Sequence, residues 1–336
     1  MKYPKFIKKG SVIGVCAPSF GVPLDPYRIR YDNSKTFLYQ NGIYVEESSS
    51  VYSLKKDEST NAKKRAKEFM DLYFNDEVDF VMSVAGGEVM CEILPFIKFD
   101  KIKKAEPKYF MGYSDNTVLT FALTTICDIA TIYGPNAGDF GARYLDEPYI
   151  NALKIMHGDI ITQNSFDKYQ TKSLKYEDYT APLNLTKKVK WNCSRKNVTV
   201  KGRLIGGCLD VLCEFLGTPF DNVKNFNEKY KDDGFIWYME SCDLNSIQVK
   251  RALFQLDQSG WFKYVKGFIF GRPNNLDTPF NVSYKQAVNH ILNKYKVPII
   301  FDADFGHVHP AFTIINGAIG EIHYCNHEGY LKQYLE

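Results

Sequence analysis

Through the first 160 positions, short apolar and β-branched runs alternate with stretches whose apolar residues recur at helical spacing. SVIGVCA, IYVEE, VDFVMSVA, PKYFMGYS and IATIYG read as strands. The patterns between them predict helices over 27–41, from Ser59 to about Phe74, over 89–97 and over 115–127. Such alternation predicts a mostly parallel sheet with helices on both faces, which binds ligands beyond the carboxyl ends of its strands. From 159 to 198 the periodicity fails, and the polar, Tyr- and Lys-rich stretch reads as a linker and extended loop. Order resumes with VTVKGRLIG, the helix LDVLCEFLG, the strand GFIWYME, a helix over 246–258, VKGFIFG, a helix over 283–295, VPIIFD and a β-rich stretch around 312–325. The expected fold class is therefore α/β, with an N-terminal domain over 1–160, a linker over 161–198 and a second α/β domain over 199–336. No internal repeat or low-complexity tract interrupts it.

Composition narrows the function classes. The 336 residues are 45% hydrophobic and 24% charged, enough for a large core. Forty-two basic against 39 acidic side chains leave a net charge of +3, and KFIKK, KIKK and KKVK are short and scattered, so nucleic acid is not an expected partner. Eight cysteines, several inside apolar runs and none in a CxxC pair, favour a reducing compartment and argue against a zinc site. The basic-then-apolar start is short and runs into Pro18, so it reads as a first strand and the expected location is the cytoplasm. VLTFALTTICDIATIYG, the most apolar long segment, is broken by Asp128, and no membrane span is expected.

Four strand ends carry candidate chemistry. In Gly112-Tyr113-Ser114-Asp115-Asn116, the glycine permits a sharp strand-to-helix turn displaying Ser114 at a helix N-terminus. The GxSxG elbow pattern is half met, because Asn116 stands at the second glycine, and on this stretch alone Ser114 reads first as an ordinary helix cap. Val84-Ala85-Gly86-Gly87-Glu88 lets the backbone approach a ligand, although no phosphate-binding glycine motif is present and a plain tight turn explains it as well. Phe235 to Glu240 is an apolar strand ending in a carboxylate that must face water or find a partner. Gly306-His307-Val308-His309 follows VPIIFD, where HxH with Asp302 and Asp304 nearby admits a metal site or two unrelated histidines. Together, Ser, Glu and His at strand ends with a Gly-Gly loop form a kit for acyl transfer.

The chain resembles the serine peptidase family of LD-carboxypeptidases and microcin C7 self-immunity proteins. The motifs that carry the resemblance run in order: IGVCAPS, AGGEVMCEILPFIKFD, FMGYSDNT, GRLIGGCLDVL followed by GTPF, WYMES and DFGHVHP. It implies an N-terminal flavodoxin-like domain supplying the nucleophile Ser114 and a C-terminal α/β domain supplying the triad carboxylate Glu240 and the general base His307, with the active site in a cleft between them. His309 then falls outside the catalytic set and the metal reading loses its weight. The oxyanion hole would use the N–H groups of Gly87 and Asp115. No cofactor or metal is implied, and homodimers are usual in the family.

Two substrate branches follow from the resemblance: murein tetrapeptides losing D-alanine, or the amide of an aminoacyl- or peptidyl-nucleotide antibiotic. Gly86 and Glu88 are candidate substrate contacts. Length and Trp191, in the loop before GRLIGG, lean toward the immunity-like branch if that indole stacks on a nucleobase; alternatively Trp191 packs under the loop. A non-catalytic cleft-binding protein on the same fold is the competing class.

Overall fold

The apolar runs of the N-terminal part form the strands their pattern predicts. In the computed structural model, which describes residues 1–336, these are Val12–Cys16 (β1), Tyr44–Glu47 (β2), Phe80–Ser83 (β3), Phe110–Gly112 (β4) and Thr131–Tyr133 (β5). They build a sheet in the order β2-β1-β3-β4-β5, with the strand Ile314–Asn316 added beside β5. The pairings of β1 with β2 and β3, of β3 with β4 and of β4 with β5 are parallel. This is the flavodoxin-like order, in which the switch point lies between the carboxyl ends of β1 and β3. β3, β4 and β5 are buried along their whole length, as a parallel strand covered on both faces requires.

The longer helices are Tyr27–Gln40 (α1), Ala62–Phe74 (α2), Thr117–Cys127 (α3) and Glu147–Met156 (α4). α2 starts later than its pattern predicts, because Asn61 is the cap, accepting from the Lys64 N–H at 3.0 Å. Ser59 is occupied elsewhere, donating its hydroxyl to the Ala17 carbonyl at 2.7 Å. The helix predicted over 89–97 is a 3₁₀ helix, Met90–Phe96, containing Pro95, which cannot donate an N–H. α3 is almost wholly buried, and its threonines are satisfied locally: Thr125 donates to the Phe121 carbonyl at 2.8 Å and Thr124 bonds Thr131 at 3.0 Å. No helix is long and apolar enough to cross a membrane.

The second sheet contains Asn197–Cys208 (β6), Phe235–Glu240 (β7), Val265–Gly271 (β8), Ile299–Ala303 (β9), Ile319–Cys325 (β10) and Glu328–Tyr334 (β11). Its order is β11-β10-β6-β7-β8-β9, with the two-residue strands Gln163–Asn164 and Asn192–Cys193 at its edges. β6 to β9 are parallel, whereas β10 and β11 run antiparallel to their neighbours. β6 records this change in its sequence: Asn197 to Lys201 alternate exposed and buried, and Gly202 to Cys208 are buried throughout. Ser246–Gln258 (α5) and Tyr284–Leu292 (α6) each begin with a reciprocal capping box, on Asn245 and Ser283.

The chain divides into two units: 1–161 with 172–184 and 313–315, and 162–171 with 185–312 and 316–336. The stretch read as a linker over 161–198 is thus apportioned between both. Arg30 donates to the carbonyls of Tyr179 (3.1 Å) and Ala181 (3.0 Å), which fastens 172–184 to α1. Phe166, Val189 and Trp191 are buried in the second unit. These anchors are too sparse to generate a period, which is why the sequence pattern fades there.

Candidate active site

At the carboxyl end of β4 the chain makes a tight turn. Ser114 has φ 67°, the left-handed region that a non-glycine residue rarely enters. Tyr113 holds the cap position, and Ser114 opens a 3₁₀ turn, Ser114–Asn116, that leads into α3. Ser114 is therefore not the cap. The departure from GxSxG at Asn116 has a physical account. Its amide donates to the carbonyls of Ala85 (3.1 Å) and Tyr113 (3.0 Å) and to Asn136 Oδ1 (3.0 Å). A Cβ on Gly112 would lie 2.7 Å from Asn116 Cγ, so the glycine makes room for this knot. The Ser114 N–H donates to the Tyr133 hydroxyl at 3.3 Å.

The Gly86-Gly87 loop, at the end of β3, lies against this turn. A Cβ on Gly86 would stand 3.2 Å from Ser114 Oγ and 3.9 Å from the Asp115 nitrogen. Gly87, at φ 154°, has no room for one, since it would meet Ser19 Oγ at 2.1 Å. The loop is fixed from behind by the residue next to Ser114. Asp115 Oδ2 accepts the Met90 N–H at 3.0 Å, and Ser19, from the loop after β1, accepts the Val89 N–H at 3.3 Å and hydrogen-bonds Asp115. Burial pushes the Asp115 carboxyl above its ordinary range, opposed by those hydrogen bonds and by Arg65. Arg65, itself buried, donates to the carbonyls of Pro18 (3.0 Å) and Val89 (2.9 Å) and pairs with Glu92 at 2.6 Å. Gly86, Gly87, Ser114 and Asp115 thus form one constellation within the first unit, while Glu88 is exposed at its edge.

The second unit assembles another constellation at the carboxyl ends of β6 to β9. Glu240 ends β7 with no exposed surface, and its Oε2 meets His307 Nδ1 at 2.8 Å. Gly306 makes this contact sterically feasible: at φ 93°, a Cβ there would lie 2.6 Å from Glu240 Cγ. Burial draws the His307 imidazole down, but the Glu240 charge and hydrogen bonds to Cys242 and Glu240 outweigh it and hold His307 well above its ordinary value. Cys208, the register partner of Glu240, places its sulfur in the same cluster.

Arg272, at the end of β8, grips the loop that carries His307. It pairs with buried Asp304 at 2.5 Å and donates to the carbonyls of Val308 (2.9 Å) and Pro310 (3.0 Å). Asp304 Oδ2 also accepts from Trp191 Nε1 at 2.8 Å and from the Phe166 N–H at 3.2 Å. Trp191 is fully buried and packs against Phe312, with ring centroids 5.8 Å apart. Its stacking face is consumed by the core, which corrects the expectation that this indole is offered to a nucleobase. His309 is not part of the Cys208–Glu240–His307 group, so the two histidines of HxH do not share one cluster. Arg272, Ser19 and Cys208 carry no role in the sequence pattern, and Asp304 enters there only as a neighbour of the HxH pair. The strand-end rule that found Glu240 applies equally to Arg272 and Cys208.

Two domain signatures match this chain: the LD-carboxypeptidase N-terminal domain over residues 13–134 and the LD-carboxypeptidase C-terminal domain over 201–322. The chain belongs to the LD-carboxypeptidase family. It is 26% identical to the microcin C7 self-immunity protein MccF of Escherichia coli over 91% of this chain and 89% of that one. It is also 26% identical to the probable murein peptide carboxypeptidase of Bacillus subtilis (strain 168), over 94% of this chain and 89% of the relative. The solved structure of MccF in complex with glutamyl sulfamoyl guanosine superposes with a TM-score of 0.80 at 22% identity, covering 99% of both chains. The α/β fold derived above is accordingly that of the LD-carboxypeptidase family, and the chain is a peptidase of that family.

Proposed function

We propose that this LD-carboxypeptidase relative is a serine hydrolase with Ser114 as nucleophile, His307 as general base and Glu240 as its orienting carboxylate. The observation that carries the reading is the 2.8 Å contact between buried Glu240 and His307 Nδ1. A carboxylate in that position fixes the tautomer that leaves Nε2 to accept a proton, and it stabilises the imidazolium that forms. The strained turn at Ser114 and its Gly86 neighbour support the nucleophile assignment.

In this mechanism His307 takes the Ser114 proton as Oγ attacks the scissile carbonyl. The N–H groups of Gly87 and Asp115 stabilise the oxyanion, each worth about 10²–10³ in rate. His307 then protonates the leaving amine, and water resolves the acyl-enzyme by the reverse path. The reading requires Ser114 Oγ and His307 Nε2 to come within hydrogen-bond distance in the working enzyme, and a homodimer, usual in the family, is part of it.

The first substrate reading is a murein tetrapeptide cut at its terminal D-alanine, supported by the murein peptide carboxypeptidase relative. The second, hydrolysis of the amide of an aminoacyl-nucleotide, is favoured by the MccF relative, although burial of Trp191 removes the residue that leaned toward it. Purified protein is offered a murein tetrapeptide and an aminoacyl sulfamoyl adenosine in parallel. D-alanine or amino-acid release selects the branch, and Ser114→Ala is expected to lower turnover by about 10⁴-fold or more. Turnover unchanged in Ser114→Ala overturns the assignment, and binding without turnover by the wild type leaves the non-catalytic alternative standing.

A further inference from the structure

The Glu240–His307 pair belongs to a second arrangement as well. Cys208 ends β6 directly across from Glu240 at the end of β7, and His307 enters from the loop after β9. One ligand atom from each, a sulfur, a carboxylate oxygen and an imidazole nitrogen, lie within 4.8 Å of one another. On a tetrahedral zinc ion, ligand atoms stand about 3.3–3.8 Å apart, given metal–ligand bonds of about 2.0–2.3 Å. Closure therefore needs movements of about 1 Å or less. Cys208 and Glu240 are buried and the His307 side chain is 17% exposed, so the cluster meets solvent at its imidazole.

We propose that Cys208, Glu240 and His307 form a binding site for a thiophilic divalent cation of the zinc class, with water in the fourth position, and that an occupied site withdraws His307 from catalysis. The protons balance. Cys208 releases its thiol proton to solvent and binds as thiolate, neutral His307 gives up its Nδ1 proton to solvent, takes one from solvent on Nε2 and binds through Nδ1, and Glu240 binds as carboxylate. One thiolate and one carboxylate neutralise the dication, so the filled site buries no net charge. A soft sulfur beside an imidazole and a single carboxylate does not suit calcium or magnesium, which take oxygen ligands. The site also holds together without the cation: Glu240 bonds His307 at 2.8 Å, and the Cys208 thiol donates to Asp210 Oδ2 at 3.5 Å. Occupancy is thus a reversible state laid over a formed structure. Spacing rules miss the site because its ligands come from two strand ends and a loop, 32 and 67 residues apart in sequence.

Cation binding stands on ligand geometry alone; the inhibitory consequence rests on the peptidase reading. The test is a cobalt(II) titration of the reduced, chelator-treated full chain, followed by the sulfur-to-cobalt charge-transfer absorption. One cobalt per chain with a thiolate band, displaced by zinc, is expected. Cys208→Ser abolishes the band and His307→Gln weakens binding by about 100-fold or more, since even outer partners of a metal ligand are worth 10–100-fold. Ser114→Ala and Cys242→Ser retain the band, although Cys242 hydrogen-bonds the same imidazole. Circular dichroism verifies the fold of each variant, and His307→Gln decides the matter if Cys208→Ser misfolds. No thiolate band in the wild type, or a band that survives Cys208→Ser or follows Cys242, overturns the site. If cobalt binds but zinc leaves hydrolysis untouched, the inhibitory clause falls, whereas an absence of hydrolysis without metal indicts the peptidase reading.

Discussion

Ser114 occupies a backbone conformation that costs a non-glycine residue about 1–3 kcal/mol, and it is held there by Asn116, Tyr133 and the Gly86 loop. Ser114→Gly is accordingly expected to abolish hydrolysis while raising the urea midpoint, by a gain of about 1 kcal/mol; Ser114→Ala abolishes hydrolysis without that gain. Equal midpoints for the two variants would show that the turn stores no strain. The two loop glycines part company in the same way. A Cβ on Gly86 is crowded by Ser114, at 3.1–3.2 Å, with the Asp115 nitrogen at an ordinary 3.9 Å, so Gly86→Ala lowers kcat with little change in stability. Gly87→Ala drives a methyl into Ser19 and costs about 1–3 kcal/mol as well as activity. Thermal melts paired with turnover separate them.

At the scale of elements, the groups of the proposed chemistry gather at the ends of the parallel strands, with Ser114 after β4, the glycine loop after β3, Glu240 closing β7 and His307 after β9. This much was legible in the sequence: apolar runs set the strands, and the polar residue closing each run, Ser114 after β4 and Glu240 closing β7, announced itself. The scaffolding was not legible. Arg272 acts through the carbonyls of Val308 and Pro310, and Asp304 through Trp191 and Phe166, pairings between distant elements that leave no local period. Capping boxes on Asn245 and Ser283 are local and agree with the pattern, whereas α4, whose start is marked by Pro148, lies outside the helices the pattern predicts. Arg272→Met strands Asp304 as a buried unpaired charge and is expected to cost about 3–5 kcal/mol, read by urea denaturation. Trp191→Phe removes one hydrogen bond to that carboxylate, costing about 1–3 kcal/mol, and leaves KM for an aminoacyl nucleotide unchanged. A large rise in KM alone would restore the indole as a ligand platform.

At the scale of the molecule, the family signatures fall on 13–134 and 201–322, yet the first unit also draws on 172–184 and 313–315. A fragment ending at residue 161 lacks the strand Ile314–Asn316 that flanks β5 and the segment fastened by Arg30. It is expected to melt without a cooperative transition, as followed by circular dichroism, and a sharp two-state melt would show that the interleaved pieces are dispensable. The same strand has a consequence in time. A ribosome delivers Ser114 long before it delivers residues 313–315, so throughout most of translation the nascent sheet has a vacant edge next to β5 and, on the proposed triad, a nucleophile still separated from its base on the unmade chain. A hydrolase wired in this way stays silent until its synthesis is nearly over, and a message cut short yields a sticky fragment rather than an unguarded enzyme.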